Sequence, residues 1–183
     1  MYSCEATTSR GRFALSAKPG TTSRTRGRRA AVSRADRITR RPRTLAESRA
    51  KAHRLGVLDR CAFIQGDVFD EEFEPNLYDT VLVGFLLSHL TEAQEPLLFD
   101  AVRTMLATSG RFLILDSAWS TERARFNAKE ERQPRRLNDG TAFEIYKRYC
   151  DRGDIARWTR DYGVMLNVEH FGAAFYAVSG SFD

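Results

Sequence analysis

From Tyr78 to Leu90 the chain reads YDTVLVGFLLSHL. Its first half, Thr80-Val81-Leu82-Val83, is a short unbroken apolar run, and it limits the available folds more than any other stretch. A strand with one wet face alternates apolar and polar residues, whereas an unbroken run suits a strand buried on both faces, as in parallel sheets. Parallel strands need crossover connections, usually helices, so strand and helix should alternate along the chain. Open sheets of this kind place ligands beyond the carboxyl ends of their strands. The run passes through Gly84-Phe85 and ends in Ser88-His89, so a polar pair stands either at such a site or at the start of a helix.

The flanking sequence supplies the alternation. Pro42 suits a first helical turn, and Thr44-Leu45-Ala46-Glu47 opens a predicted helix that runs to about Leu55 and closes at Gly56. Leu45, Ser48, Ala52 and Leu55 share one face of it. Cys61-Ala62-Phe63-Ile64 predicts a strand ending at Gly66-Asp67-Val68, followed by a polar loop over Asp70–Asn76 and the strand at Asp79–Val83. Thr91–Ala107 reads as a helix with Leu97, Leu98, Ala101, Val102, Met105 and Leu106 on its apolar face. A turn at Ser109-Gly110 then leads into a third buried strand, Arg111–Asp116. Beyond a polar, Arg-rich segment (Thr121–Asn138) comes a helix near Arg152–Tyr162. Last are Met165–His170 and Ala174–Ser179, joined by a tight connection at Gly172. That last pair is a hairpin, so the parallel sheet is expected to end in an antiparallel edge.

Charge divides the chain unevenly. The net charge is +5, yet residues 1–43 alone carry 12 Lys/Arg against Glu5 and Asp36. Everything after them is mildly acidic, with no nucleic-acid footprint of its own. The basic segment is rich in Arg, Ser and Thr and poor in large aliphatics, so residues 1–41 are expected to be a disordered tail. Three readings compete for it: a transit-like peptide, a basic arm that touches nucleic acid, or the product of a shifted reading frame. The expected folded domain is 42–183.

No apolar run approaches the ~20 residues of a membrane span. Cys4, Cys61 and Cys150 are odd in number and far apart, without CxxC or a neighbouring His. That pattern argues for a reducing, cytoplasmic setting and against a disulfide framework or a zinc site.

Three ordered stretches carry a resemblance: Phe63-Ile64-Gln65-Gly66-Asp67-Val68, Tyr78-Asp79-Thr80-Val81-Leu82-Val83 with Gly84–His89 after it, and Gly110–Asp116. Over roughly Pro42 to the C-terminus the chain resembles the class I S-adenosylmethionine-dependent methyltransferases. A further stretch, Arg136–Lys147, is similar to a signature in one bacterial branch of that family. The resemblance implies a Rossmann-like, mostly parallel α/β sheet with helices on both faces and a C-terminal antiparallel hairpin. It also implies S-adenosylmethionine as cofactor and a small or medium-sized molecule as methyl acceptor.

It implies roles for residues as well, each beside a plainer reading. Asp67 matches the family's acid that accepts from the adenine amino group, or is a turn acid after Gly66. Val68 and Phe85 would wall the purine ring, with Gly66 and Ser88 beside the cofactor. His89 would be a general base, since imidazole titrates near neutrality, or it merely approaches a helix capped by Ser88 or Thr91. Asp116 would touch the acceptor or cap the next segment. Tyr146 and Lys147 would line the acceptor pocket or cover the sheet. Arg123–Arg136 reads as a solvated charged helix in preference to an anion-binding face. His53 is expected in solvent and His170 packed in the hairpin.

Two family features have no counterpart. The Gly-rich turn after the first strand and the acid after the second belong before Pro42, where the chain instead reads Ile38-Thr39-Arg40-Arg41. The N-terminal strands are therefore expected to be missing. A frame joined near Pro42 would account for that, and a non-catalytic remnant of the fold is the alternative function.

Overall fold

The computed structural model describes residues 12–17, 34–39, 42–70, 72–122, 128–136 and 139–183. Nine strands and three α-helices are assigned among them: β1 (Arg12–Ala17), β2 (Arg34–Thr39), α1 (Pro42–Arg54), β3 (Cys61–Gln65), β4 (Tyr78–Gly84), α2 (Glu95–Met105), β5 (Leu106–Ser117), β6 (Glu130–Arg136), β7 (Ala142–Arg148), α3 (Arg152–Tyr162), β8 (Val164–Phe171) and β9 (Phe175–Phe182).

Seven strands form one sheet in the order β3-β2-β1-β4-β5-β9-β8, and β6 with β7 forms a separate two-stranded ribbon. β2 is parallel to β3 and β4 is parallel to β5, and each pair is joined through a helix. The β4–β5 pair is what the unbroken apolar runs predict, whereas β2 carries no such run. β9 runs antiparallel to β5 and to β8, which confirms the terminal hairpin; Gly172 N–H donates to Phe175 O at 2.9 Å within it.

Two strands of the sheet come from within residues 1–41: β1 pairs with β4 and β2 pairs with β3. The rest of 1–41 lies outside the described residues. The physical reason is the edge of β4, a buried strand whose backbone N–H and C=O groups need partners. β1 supplies them, pairing Phe13 with Val83 and Leu15 with Val81. It does so in reverse, antiparallel to both β4 and β2. β2, β3, β4, β5 and β8 therefore point one way, with β1 and β9 against them.

The helices lie on both faces. Val81, Val83, Phe112, Ile114 and Val178 are buried on the face that packs against Leu98, Phe99, Val102 and Met105 of α2 and Ile155 and Trp158 of α3. Phe99 is central there: its ring stacks on Tyr162 at 4.3 Å and meets Phe112 edge-on at 6.2 Å. The opposite face takes α1, whose Arg49 guanidinium lies 5.1 Å over the Phe63 ring. Through the register Phe63–Arg37–Ala14–Leu82, that ring is on the Leu82 side of the sheet. Gly56 adopts φ +64° and closes α1, and Leu55 is exposed instead of sharing the face of Leu45 and Ala52.

Three element boundaries differ from expectation. The helix expected over 91–107 is a 3-10 turn at Glu92–Gln94 followed by α2. Gln94 Oε1 accepts from Thr91 N–H at 3.0 Å, and Leu106-Ala107 already belong to β5. The turn expected at Ser109-Gly110 is a continuous part of β5. A Cβ on Gly110 would lie 2.9 Å from Ala107 O and 3.0 Å from Tyr78 O, so the strand passes there only without a side chain. Of Arg123–Arg136, residues 123–127 lie outside the described set, and the segment from Glu130 on is strand rather than helix. Its charges suit strand β6 because β6 itself is largely exposed. Among the described residues no helix is long and apolar enough to cross a membrane.

Candidate functional site

β3, β4 and β5 point the same way, so Gly66–Val68, Phe85–His89 and Asp116 gather along one edge of the sheet. β2 and β1 separate β3 from β4, which sets their ends roughly 14 Å apart at the usual strand spacing. The edge is thus a bay with Asp67 on one side and Phe85 to His89 on the other.

On the far side of the bay, Asp67 Oδ1 accepts from Phe69 N–H at 3.2 Å, and Asp67 O accepts from Asp70 N–H at 3.1 Å. The turn-acid reading is therefore correct as local structure. Val68 is buried, and its side chain lines a cavity of about 260 Å³ with Phe69, Phe73, Leu97, Ala101 and Thr104. Leu97, Ala101 and Thr104 of α2 form one wall of it, and Leu97 is exposed rather than packed in the core.

On the near side, Phe85 leaves β4 at φ +53°, a left-handed conformation that costs a non-glycine residue about 1 kcal/mol or more. The bend is held by Phe85 N–H to Leu115 O at 2.8 Å and by its ring, edge-on to Phe175 at 5.5 Å. Leu87–His89 then forms a buried 3-10 turn.

This turn is gripped from two directions. Asp116, fully buried, accepts from Ser88 N–H at 3.0 Å and from its neighbour Ser117 N–H at 2.7 Å. From β7, Lys147 Nζ donates to Ser88 Oγ at 2.5 Å and stands 4.0 Å from Asp116 Oδ1. Ser88 is 1 % exposed and Lys147 8 %, so the ammonium, hydroxyl and carboxylate are taken out of water together. One residue earlier in β7, Tyr146 O lies 3.0 Å from His89 Nδ1. Asp116 and Lys147, weighed separately in the sequence, are thus partners.

A second buried cluster was not legible in the sequence. Glu95, at the start of α2, binds Arg148 through Oε2, while Oε1 accepts from Arg157 Nη2 at 2.7 Å and Tyr162 Oη at 2.6 Å. Burial pushes the Glu95 carboxyl up, but Tyr162, Arg148 and Arg157 together outweigh it and hold it below its ordinary value. The available signal was Arg148 beside Lys147, two cations in a strand that also carries Ile145 and is followed by Tyr149. Burial likewise pushes the Cys150 thiol up to about 12, so that cysteine is a packing residue. His53 and His170 are both exposed, which corrects the packed reading of His170. Among the described residues no group of His, Cys, Asp and Glu is arranged to hold a metal.

The sequence matches no protein-family model and no curated protein. Among solved structures the chain is similar to DhpI in a DhpI-SAM-HEP complex, with 24% identity and a TM-score of 0.60 over 74% of this chain and 64% of that one. It is similar to the glycopeptide N-methyltransferase MtfA complexed with S-adenosyl-L-methionine, with 18% identity and a TM-score of 0.58 over 80% and 71% of the two chains. The PH0226 protein from Pyrococcus horikoshii OT3 has 15% identity and a TM-score of 0.60 over 80% and 72%. This chain therefore spans just under two thirds of the length of DhpI. With these similarities, the chain has the fold of the class I S-adenosylmethionine-dependent methyltransferases.

Proposed function

We propose that this chain is an S-adenosylmethionine-dependent methyltransferase acting on a small or medium-sized acceptor. The observation that supports the reading most is the bay itself. An acid, an apolar ring and a histidine sit at the carboxyl ends of β3 and β4, where open α/β sheets bind ligands.

The residues present fit the nucleoside half of the cofactor. Asp67 accepts from the exocyclic amine of adenine, with Gly66 giving the backbone room to approach. Phe85 and the Val68 backbone flank the ring, and Ser88 closes the floor through its hydrogen bonds. Bound S-adenosylmethionine supplies a methyl group already activated by its sulfonium. Positioning does most of the remaining work. His89 takes the acceptor's proton at Nε2, because Nδ1 faces a carbonyl. The compartment is read as cytoplasmic, since neither Cys61 nor Cys150 is in a disulfide.

Methyl-labelled S-adenosylmethionine offered with a panel of small amines, phenols and carboxylic acids tests the assignment. Label should reach at least one acceptor, and His89→Gln should slow the transfer on the order of 100-fold or more.

A second reading, a non-catalytic remnant of the fold, is favoured by one observation. β1 is reversed, so it begins beside Gly84, at the point where the family's first strand ends in its Gly-rich turn. A folded chain that transfers label to none of the panel would favour that reading.

A further inference from the structure

β7 approaches the site turn side-on and contacts it with two consecutive residues. Tyr146 presents its backbone carbonyl to His89 Nδ1 at 3.0 Å, and Lys147 presents its ammonium to Ser88 Oγ at 2.5 Å. A carbonyl has no proton to give, so Nδ1 carries the hydrogen and donates it. The neutral imidazole then has its lone pair on Nε2. Within the turn itself few bonds restrain the histidine: His89 N–H donates to Leu86 O at 2.9 Å and Leu90 N–H to Leu87 O at 3.0 Å. Those bonds fix the backbone and leave the ring orientation to outside contacts.

We propose that the Tyr146-Lys147 step of β7 is a positioning device for His89. The Tyr146 carbonyl selects the Nδ1–H tautomer, and the buried Lys147–Ser88–Asp116 cluster holds β7 in register with the turn. The proposal rests on reading His89 as the acceptor-side base, and it adds two residues that touch no substrate. Asp116 anchors Ser88 to β5 from below, while Lys147 ties the same residue to β7 from the side. A buried ion pair of this sort specifies registry more dependably than it adds stability. Registry matters here because a displacement of about 1 Å at a reacting group lowers rates on the order of 100-fold.

The test is nitrogen-15 NMR of the imidazoles in the ligand-free chain, with His89 assigned among the three histidines by loss of its signals in His89→Gln. The wild type should show Nδ1 protonated and Nε2 bare above the imidazole pKa. Lys147→Met should shift His89 toward a mixture of tautomers. If that variant does not fold, Ser88→Ala carries the test, because it keeps both the Lys147–Asp116 pair and the backbone bond to Asp116. Where turnover is measurable, Lys147→Met should lower kcat roughly 10- to 100-fold with KM for S-adenosylmethionine unchanged. An Nε2-protonated His89 in the wild type overturns the proposal, as does an unchanged tautomer in folded Lys147→Met or Ser88→Ala. The NMR result needs neither cofactor nor turnover, so a chain that fails to transfer methyl groups can still confirm or refute it.

Discussion

At the scale of single residues, the buried charges decide how this domain responds to substitution and to acid. Lys147→Met removes the cation beside Asp116 and leaves a fully buried carboxylate without its ion-pair partner. The expected cost is about 3–5 kcal/mol, read as a lower denaturation midpoint at unchanged slope. Lys147→Met combined with Asp116→Asn should recover part of that loss. Glu95 sets the pH response. Its carboxyl is held below the ordinary value of 4.5, so its contribution to stability is complete above that pH and is lost as pH falls through the folded value. Urea midpoints measured from neutrality down to about pH 3 should fall, and the fall should be shallower in Glu95→Gln. An equally steep acid limb in that variant would mean that other carboxylates dominate. Lys147 and Glu95 also show why part of the site was hidden in the sequence. Lys147 and Asp116 are 31 positions apart, and neither reading of Lys147, lining a pocket or covering the sheet, names the acid that the fold brings to it. The ends of β3 and β4, which carry Asp67 and Phe85–His89 just beyond them, were legible because short apolar runs stop there.

At the scale of elements, the apolar runs were readable and the charged strands were not. β3, β4 and β5 follow from short aliphatic stretches, and the β8–β9 hairpin from alternation around Gly172. β6 is built largely from Glu and Arg, residues whose local preferences point to helix, while β7 mixes Phe, Ile and Tyr with Glu, Lys and Arg. What makes them a ribbon is tertiary: Arg148 to Glu95, Lys147 to Ser88, and Lys129 to Asp151 at 2.8 Å just before β6. β1 escaped for a related reason, since its surroundings are arginine-rich and only RFALSA alternates. The hairpin yields a sharp prediction. A Cβ on Gly180 would fall 2.5 Å from the Phe112 ring and 2.7 Å from Met165 O, the second a backbone atom that yields little. Gly180→Ala should therefore lower stability by about 1–3 kcal/mol, whereas Gly140→Ala, with open space but φ +90°, should cost only backbone strain of about 1 kcal/mol. Thermal melts of the two variants check the ranking.

At the scale of the whole molecule, the sheet keeps the order and the crossovers that create a bay at its carboxyl edge, while its central β1 is reversed. We propose that the nucleoside side of this bay, centred on Asp67, is enough to bind the cofactor without a Gly-rich turn after a parallel first strand. Calorimetric titration of the folded chain with S-adenosylmethionine, beside Asp67→Ala, is the direct test. The prediction is saturable binding that weakens roughly tenfold or more in Asp67→Ala, the loss expected for one hydrogen bond to a charged group. A folded chain that releases no heat of binding, or one whose affinity is unchanged in Asp67→Ala, would contradict it.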